Sequence, residues 1–122
     1  MNGFTRQEVS DERDKADITN FTHGLSWIKN ILPFTYKLDH RSNYLEEGEQ
    51  DLTAVTRDGS KKKNKVYLGL IAQEVLEIEK ADNFATSLDN ELLVSSNADS
   101  SVLGLQYTSI IPILINAIKE LE

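Results

Sequence analysis

One hundred and twenty-two residues, 39% of them hydrophobic, make one domain with a single core of moderate size. Thirteen Lys and Arg against twenty Asp and Glu leave a net charge of −7, which opposes binding to nucleic acid or to an anionic membrane surface, since both need a positive field. The absence of Cys excludes a disulfide framework, a thiolate nucleophile and a zinc–thiolate site, and with only His23 and His40 present no metal or cofactor is expected. No apolar run reaches the roughly eighteen residues of a membrane span, and the first nine residues lack the apolar core of a secretory signal.

Residues 1–17 are polar, with an isolated Phe4 and a dense charge cluster at 10–15. Ile18, Phe21, Leu25, Ile28 and Leu32 then recur at steps of three and four, predicting an N-terminal helix that Trp27 and Ile31 widen and Pro33 ends. Gly24 lies inside it. Phe34, Tyr36 and Leu38 alternate with polar residues as in a half-buried strand. Residues 39–65 are poor in apolar side chains and read as a protruding arm, with a strand at 52–56, a turn at Asp58-Gly59 and a return through residues 60–68. The lysines at 61–63 suit its solvated edge. Residues 66–71 predict a buried strand leading into a short helix over 72–78. Residues 85–88 and 91–95 flank a turn at Asp89-Asn90. Leu103, Leu105 and Tyr107 alternate as a further strand. A terminal helix over 109–122, with Thr108 or Ser109 as cap and Pro112 in its first turn, closes the chain. Its Ile110, Leu114, Ala117 and Leu121 form an a/d seam, and Ile111, Ile113, Ile115 and Ile118 make other faces apolar too. A helix apolar nearly all round is buried on several sides, and in so small a domain that points to packing against copies of itself.

The usual metalloprotease, serine-hydrolase, phosphate-loop and calcium-loop patterns are absent. Glu46, Glu47, Glu49 and Asp51 lack calcium-loop spacing and read as a solvated loop. Gly59-Ser60-Lys61 lacks the upstream glycine of a phosphate loop, and His23 reads as a surface or half-buried helix residue. The cluster Ser10-Asp11-Glu12-Arg13-Asp14-Lys15 admits two readings. Ser10 can cap a helix whose first turn is acidic. Alternatively, a Ser–Lys pair can act as nucleophile and base without His or Asp. A lysine serving as a neutral base at pH 7 costs roughly 4.6 kcal/mol unless burial favours the neutral amine. Residues five apart also stand about 140° from each other around a helix, so Ser10 and Lys15 can meet only across a turn or between protomers.

That hexapeptide, followed by Ile18 and the Leu25/Ile28/Leu32 stripe, resembles the start of the endosialidase-type intramolecular chaperone domain. Gly69-Leu70-Ile71-Ala72-Gln73-Glu74-Val75 is similar to the family's Gly-Phe-x-Ala-Gln-Glu-Val segment. Leu105-Gln106-Tyr107, Pro112-Ile113-Leu114 and Ala117-Ile118-Lys119-Glu120-Leu121 resemble its closing strand and helix. The resemblance implies a homotrimerising, self-cleaving C-terminal domain of bacteriophage tail spikes, fibres and neck appendages. Such a domain helps the upstream β-rich stalk of the same polypeptide to fold in the host cytoplasm and is released on cleavage. By that match residues 1–9 end the stalk and residues 10–122 are the chaperone. Cleavage falls between Val9 and Ser10, with Ser10 as nucleophile, Lys15 as base, and Asp11 and Arg13 supporting the site. Asp14 stands where the family is usually apolar, and a carboxylate there favours the charged form of the lysine. The implied fold is α+β: an N-terminal helix, a small antiparallel sheet with an arm over 39–65, and a long C-terminal helix over 109–122 in a trimeric bundle. The alternatives are a trimerisation module without chemistry and a plain protein-interaction domain.

Overall fold

The computed structural model describes residues 8–122; the segment expected to end a stalk lies mostly outside them. The architecture is α+β, with two antiparallel hairpins and a C-terminal helix. The long N-terminal helix is not formed. Only Leu25–Ile28 is helical, a single turn named α1. The reason lies in Gly24, where the chain crosses the C-terminal helix α3 (Ile110–Glu120) so closely that a Cβ would sit 2.6 Å from Glu120 Oε1 and 2.7 Å from the backbone N of Ala117. Asn116 Nδ2 donates to the carbonyls of Phe21 (2.9 Å) and His23 (3.0 Å), the groups that a longer helix would use for its own ladder. The Leu25 amide, released from that ladder, donates to Glu120 Oε2 instead. The stripe is genuine only in part: Phe21, Trp27 and Ile28 face the core, whereas Ile18 and Leu32 are exposed.

Strand β1 (Phe34–Lys37) pairs antiparallel with β2 (Val66–Gly69), with Phe34 opposite Gly69 and Lys37 opposite Val66. Residues 38–65 connect the two strands. The strand expected at 52–56 is absent; Leu52–Ala54 is a 3-10 turn whose Thr53 amide donates to Asp51 Oδ1. Too few apolar residues are present to bury a ladder, and side chains bind the backbone in its place. Arg41 donates to the carbonyl of Ser101 at 2.6 Å, Arg57 to that of Asp39 at 2.9 Å, and the Tyr44 hydroxyl to Asp39 Oδ1 at 2.6 Å.

Helix α2 (Ala72–Ala81) follows β2 as expected and runs three residues longer. The Asp89-Asn90 turn is a 3-10 turn, Leu88–Asn90, closed by a capping box from Ser87; residues 85–88 form no strand. Strand β3 (Val94–Ser96) pairs with β4 (Leu103–Leu105) as a separate second hairpin. Ser109 makes no capping bond, because the chain enters α3 through a 3-10 turn at Tyr107–Ser109.

Trp27, Val75, Leu93, Val94 and Ile113 form the core. Two carboxylates organise it. Glu79 is fully buried and accepts from the amides of Leu92 (Oε1, 2.6 Å) and Val94 (Oε2, 3.0 Å), tying α2 to the second hairpin. Asp82 Oδ2 accepts from the buried Trp27 indole at 2.6 Å. His23 is half-buried and stacks on that indole, although no helix carries it. Of the four seam residues expected on α3, Ala117 is 5% exposed against Gly24 and Ile110 packs on the core, so both serve the chain's own interior. Leu114 and Leu121 stay outside with Ile111, Ile115 and Ile118.

Candidate Ser–Lys site

The charge cluster does not open a long helix. Glu12–Asp14 is one 3-10 turn, with Asp11 at its N-cap accepting from the Arg13 amide at 2.9 Å. The Asp11 carboxylate also holds the Arg13 guanidinium through both oxygens, at 3.1 Å to Nε and 2.7 Å to Nη2. The turn closes with the Lys15 amide on the carbonyl of Glu12. Backbone on both sides of it is extended, so Ser10 and Lys15 fold back toward each other as an α-helix would forbid. Lys15 Nζ lies 2.8 Å from Ser10 Oγ and donates to it.

That separation is within general-base reach. As an ammonium the lysine can only donate; as a neutral amine over the same gap it accepts the hydroxyl proton and leaves Oγ nucleophilic. Ser10 and Lys15 are both exposed, and Val9 beside them is exposed as well. Neither Glu12 nor Asp14 forms an ion pair with Lys15 among the described residues. The sizeable clefts lie elsewhere. One of about 620 Å³ lies beside Arg41 and Ser101, and another of about 780 Å³ lies between Lys37 and Lys62; neither includes the pair. Among the described residues no group of three His, Asp or Glu is placed to hold a metal, and no helix is long and apolar enough to cross a membrane.

A protein-family model described as chaperone of endosialidase, and named as a peptidase family, matches residues 10–85. The chain belongs to this family. The match starts at Ser10 and spans the Ser10–Lys15 pair, α1, the first hairpin and α2 of this chaperone-of-endosialidase domain; the resemblance over 105–121 lies beyond it. No curated protein and no solved structure matches the chain.

The bond between the Asp11 and Arg13 side chains raises the pKa of Arg13 and lowers that of Asp11 from their ordinary values. The hydrogen bond from the Arg13 side chain, and then that from the Arg13 amide, hold the Asp11 carboxyl below the ordinary 3.8. A depressed carboxylate gives order that is complete above the unfolded value and is lost as pH falls through the lower folded one. The Arg13 amide resonance is therefore expected to be constant above about pH 5 and to move only below 3.8. A resonance that instead moves between pH 5 and pH 4 would contradict the Asp11–Arg13 bond.

Sequence reading missed the groups that hold this framework. Glu79 stands four residues after Val75 on the buried side of α2, and a charge within an apolar stripe was a usable sign. Asn116 and Glu120, which fix the path of residues 21–25 from the far end of the chain, gave none.

Proposed function

We propose that this chaperone-of-endosialidase domain trimerises, assists folding of an upstream β-rich segment of the same polypeptide, and then cuts itself free between Val9 and Ser10. The setting is the C-terminus of a bacteriophage tail or appendage protein, assembled in the host cytoplasm. The observation that carries the reading is the 2.8 Å Lys15–Ser10 pair at the residue where the family match begins.

In this mechanism the neutral Lys15 amine takes the proton of Ser10 Oγ, and Oγ attacks the Val9 carbonyl carbon. The tetrahedral adduct collapses by breaking the bond to the Ser10 nitrogen, which receives the proton from Lys15. The product is a Val9 ester on Ser10 with a free α-amine. Water, deprotonated by the same lysine, hydrolyses the ester to a Val9 carboxylate and restores the hydroxyl. The pair is exposed in one chain, and drying it favours the neutral amine. Assembly supplies the drying, so cleavage reports a completed trimer.

The apolar face left on α3 supports assembly. Ile111, Leu114, Ile115, Ile118 and Leu121 are 42–72% exposed and follow one another at helical spacing. They adjoin an apolar groove of about 430 Å³ between Ile31, Leu68 and Leu114. This stripe, in place of the seam through Ile110 and Ala117, is the trimer contact. Sedimentation should show a trimer for the wild-type chain and a monomer for Ile118→Asp with Leu121→Asp, with unchanged helix content because both side chains lie outside the core. A wild-type monomer at micromolar concentration would contradict the reading.

A further inference from the structure

Cations are unevenly placed. Five of the thirteen lysines and arginines fall within residues 57–65, against the single carboxylate of Asp58, in a chain whose net charge is −7. None of them is ion-paired: among the described residues the pairs are Arg13–Asp11 and His23–Asp82. Arg57 and Lys61 donate to backbone carbonyls, Lys65 lies 5.1 Å over the Tyr67 ring, and Lys62 lines an open cleft of about 780 Å³ with Lys37 and Arg57. All are exposed.

The cleavage segment has the opposite deficit. Glu12, Asp14 and Asp17 are exposed and lack a cationic partner among the described residues, and they flank a lysine that must shed its proton to act. Within one copy nothing covers that lysine, which is exposed beside them. We propose that the cationic surface of Arg57, Lys61, Lys62 and Lys65 seats Glu12, Asp14 and Asp17 of a neighbouring copy, so that the Ser10–Lys15 site is completed between protomers. The inference rests on the trimer reading. It assigns the arm cations two effects: they neutralise the carboxylates beside Lys15, and they place positive charge near its amine, which favours the neutral form.

The test is zero-length carbodiimide cross-linking of the full chain, with nitrogen-15-labelled and unlabelled copies mixed before assembly. Expected are hybrid peptides joining Lys61, Lys62 or Lys65 to Glu12, Asp14 or Asp17. Lys61→Glu, Lys62→Glu, Lys65→Glu together should slow cleavage roughly tenfold while the trimer still sediments as one. A sedimenting trimer without hybrid cross-links at these residues overturns the inference alone. A monomer overturns it together with the trimer reading. Shielding of the lysines by an added single-stranded oligonucleotide, with no hybrid cross-link, overturns it in favour of a nucleic-acid surface.

Discussion

Ser10→Ala is expected to leave the Val9–Ser10 bond intact over times in which the wild-type chain is fully cut, a fall in rate of at least about 10³-fold. Lys15→Met should fall as far, and the double variant no further, because nucleophile and base act as a unit. Lys15→Arg separates chemistry from structure. A guanidinium donates to Ser10 Oγ as an ammonium does but does not give up its proton near neutral pH. If the 2.8 Å contact only ties the turn together, arginine preserves whatever cleavage occurs. If lysine is the base, arginine abolishes it. Intact mass under denaturing conditions reads each outcome, with the released piece beginning at Ser10.

The largest effect on stability is expected at Glu79. Its carboxylate has no solvent and holds two amides, those of Leu92 and Val94. Glu79→Ala leaves two buried donors without a partner and opens a cavity beside Val75 and Val94, a loss of about 3–5 kcal/mol. In a domain of this size that lowers the melting temperature by about 10–20 °C. Glu79→Gln keeps one acceptor oxygen, and about 1–3 kcal/mol is lost. Thermal unfolding followed by circular dichroism checks the order Ala below Gln below wild type; a Gln variant as unstable as Ala would show that the cost is ionic and does not come from the unpaired amides.

What could be read from the sequence followed periodicity and local chemistry. The strands read at 34–38, 66–71 and 103–107 and the terminal helix all appear within a few residues of their expected places. The strand expected to be buried at 66–71 is, however, exposed at Val66, Tyr67 and Leu68, because it belongs to a two-stranded hairpin that only Gly69 carries into the interior. The Ser-x-x-x-x-Lys spacing leaves two ways for the side chains to meet, across a turn or between protomers, and within one chain the 3-10 turn at Glu12–Asp14 brings them together. What could not be read depended on residues distant in sequence. The helix expected from Ile18 fails because Asn116, 95 residues after Phe21, takes its carbonyl, and no window of local pattern contains that information. Spacing alone puts Ala117 on the seam; its close approach to Gly24 claims it for the core. The apolar circumference of α3 divides in the folded chain: Ile113 and Ala117 are spent inside it, and Ile111, Leu114, Ile115, Ile118 and Leu121 are left outside.

In the proposed function the Ser10–Lys15 pair cuts the chain once copies assemble around it. The measurement that decides it is the first-order rate of appearance of the Ser10-initiated piece, by intact mass, across concentrations chosen by sedimentation to span the expected monomer–trimer transition. The rate should rise in proportion to the trimer fraction and vanish with Ile118→Asp and Leu121→Asp together. Cleavage by the monomer at the trimer's rate, or a trimer that never cuts, would contradict it.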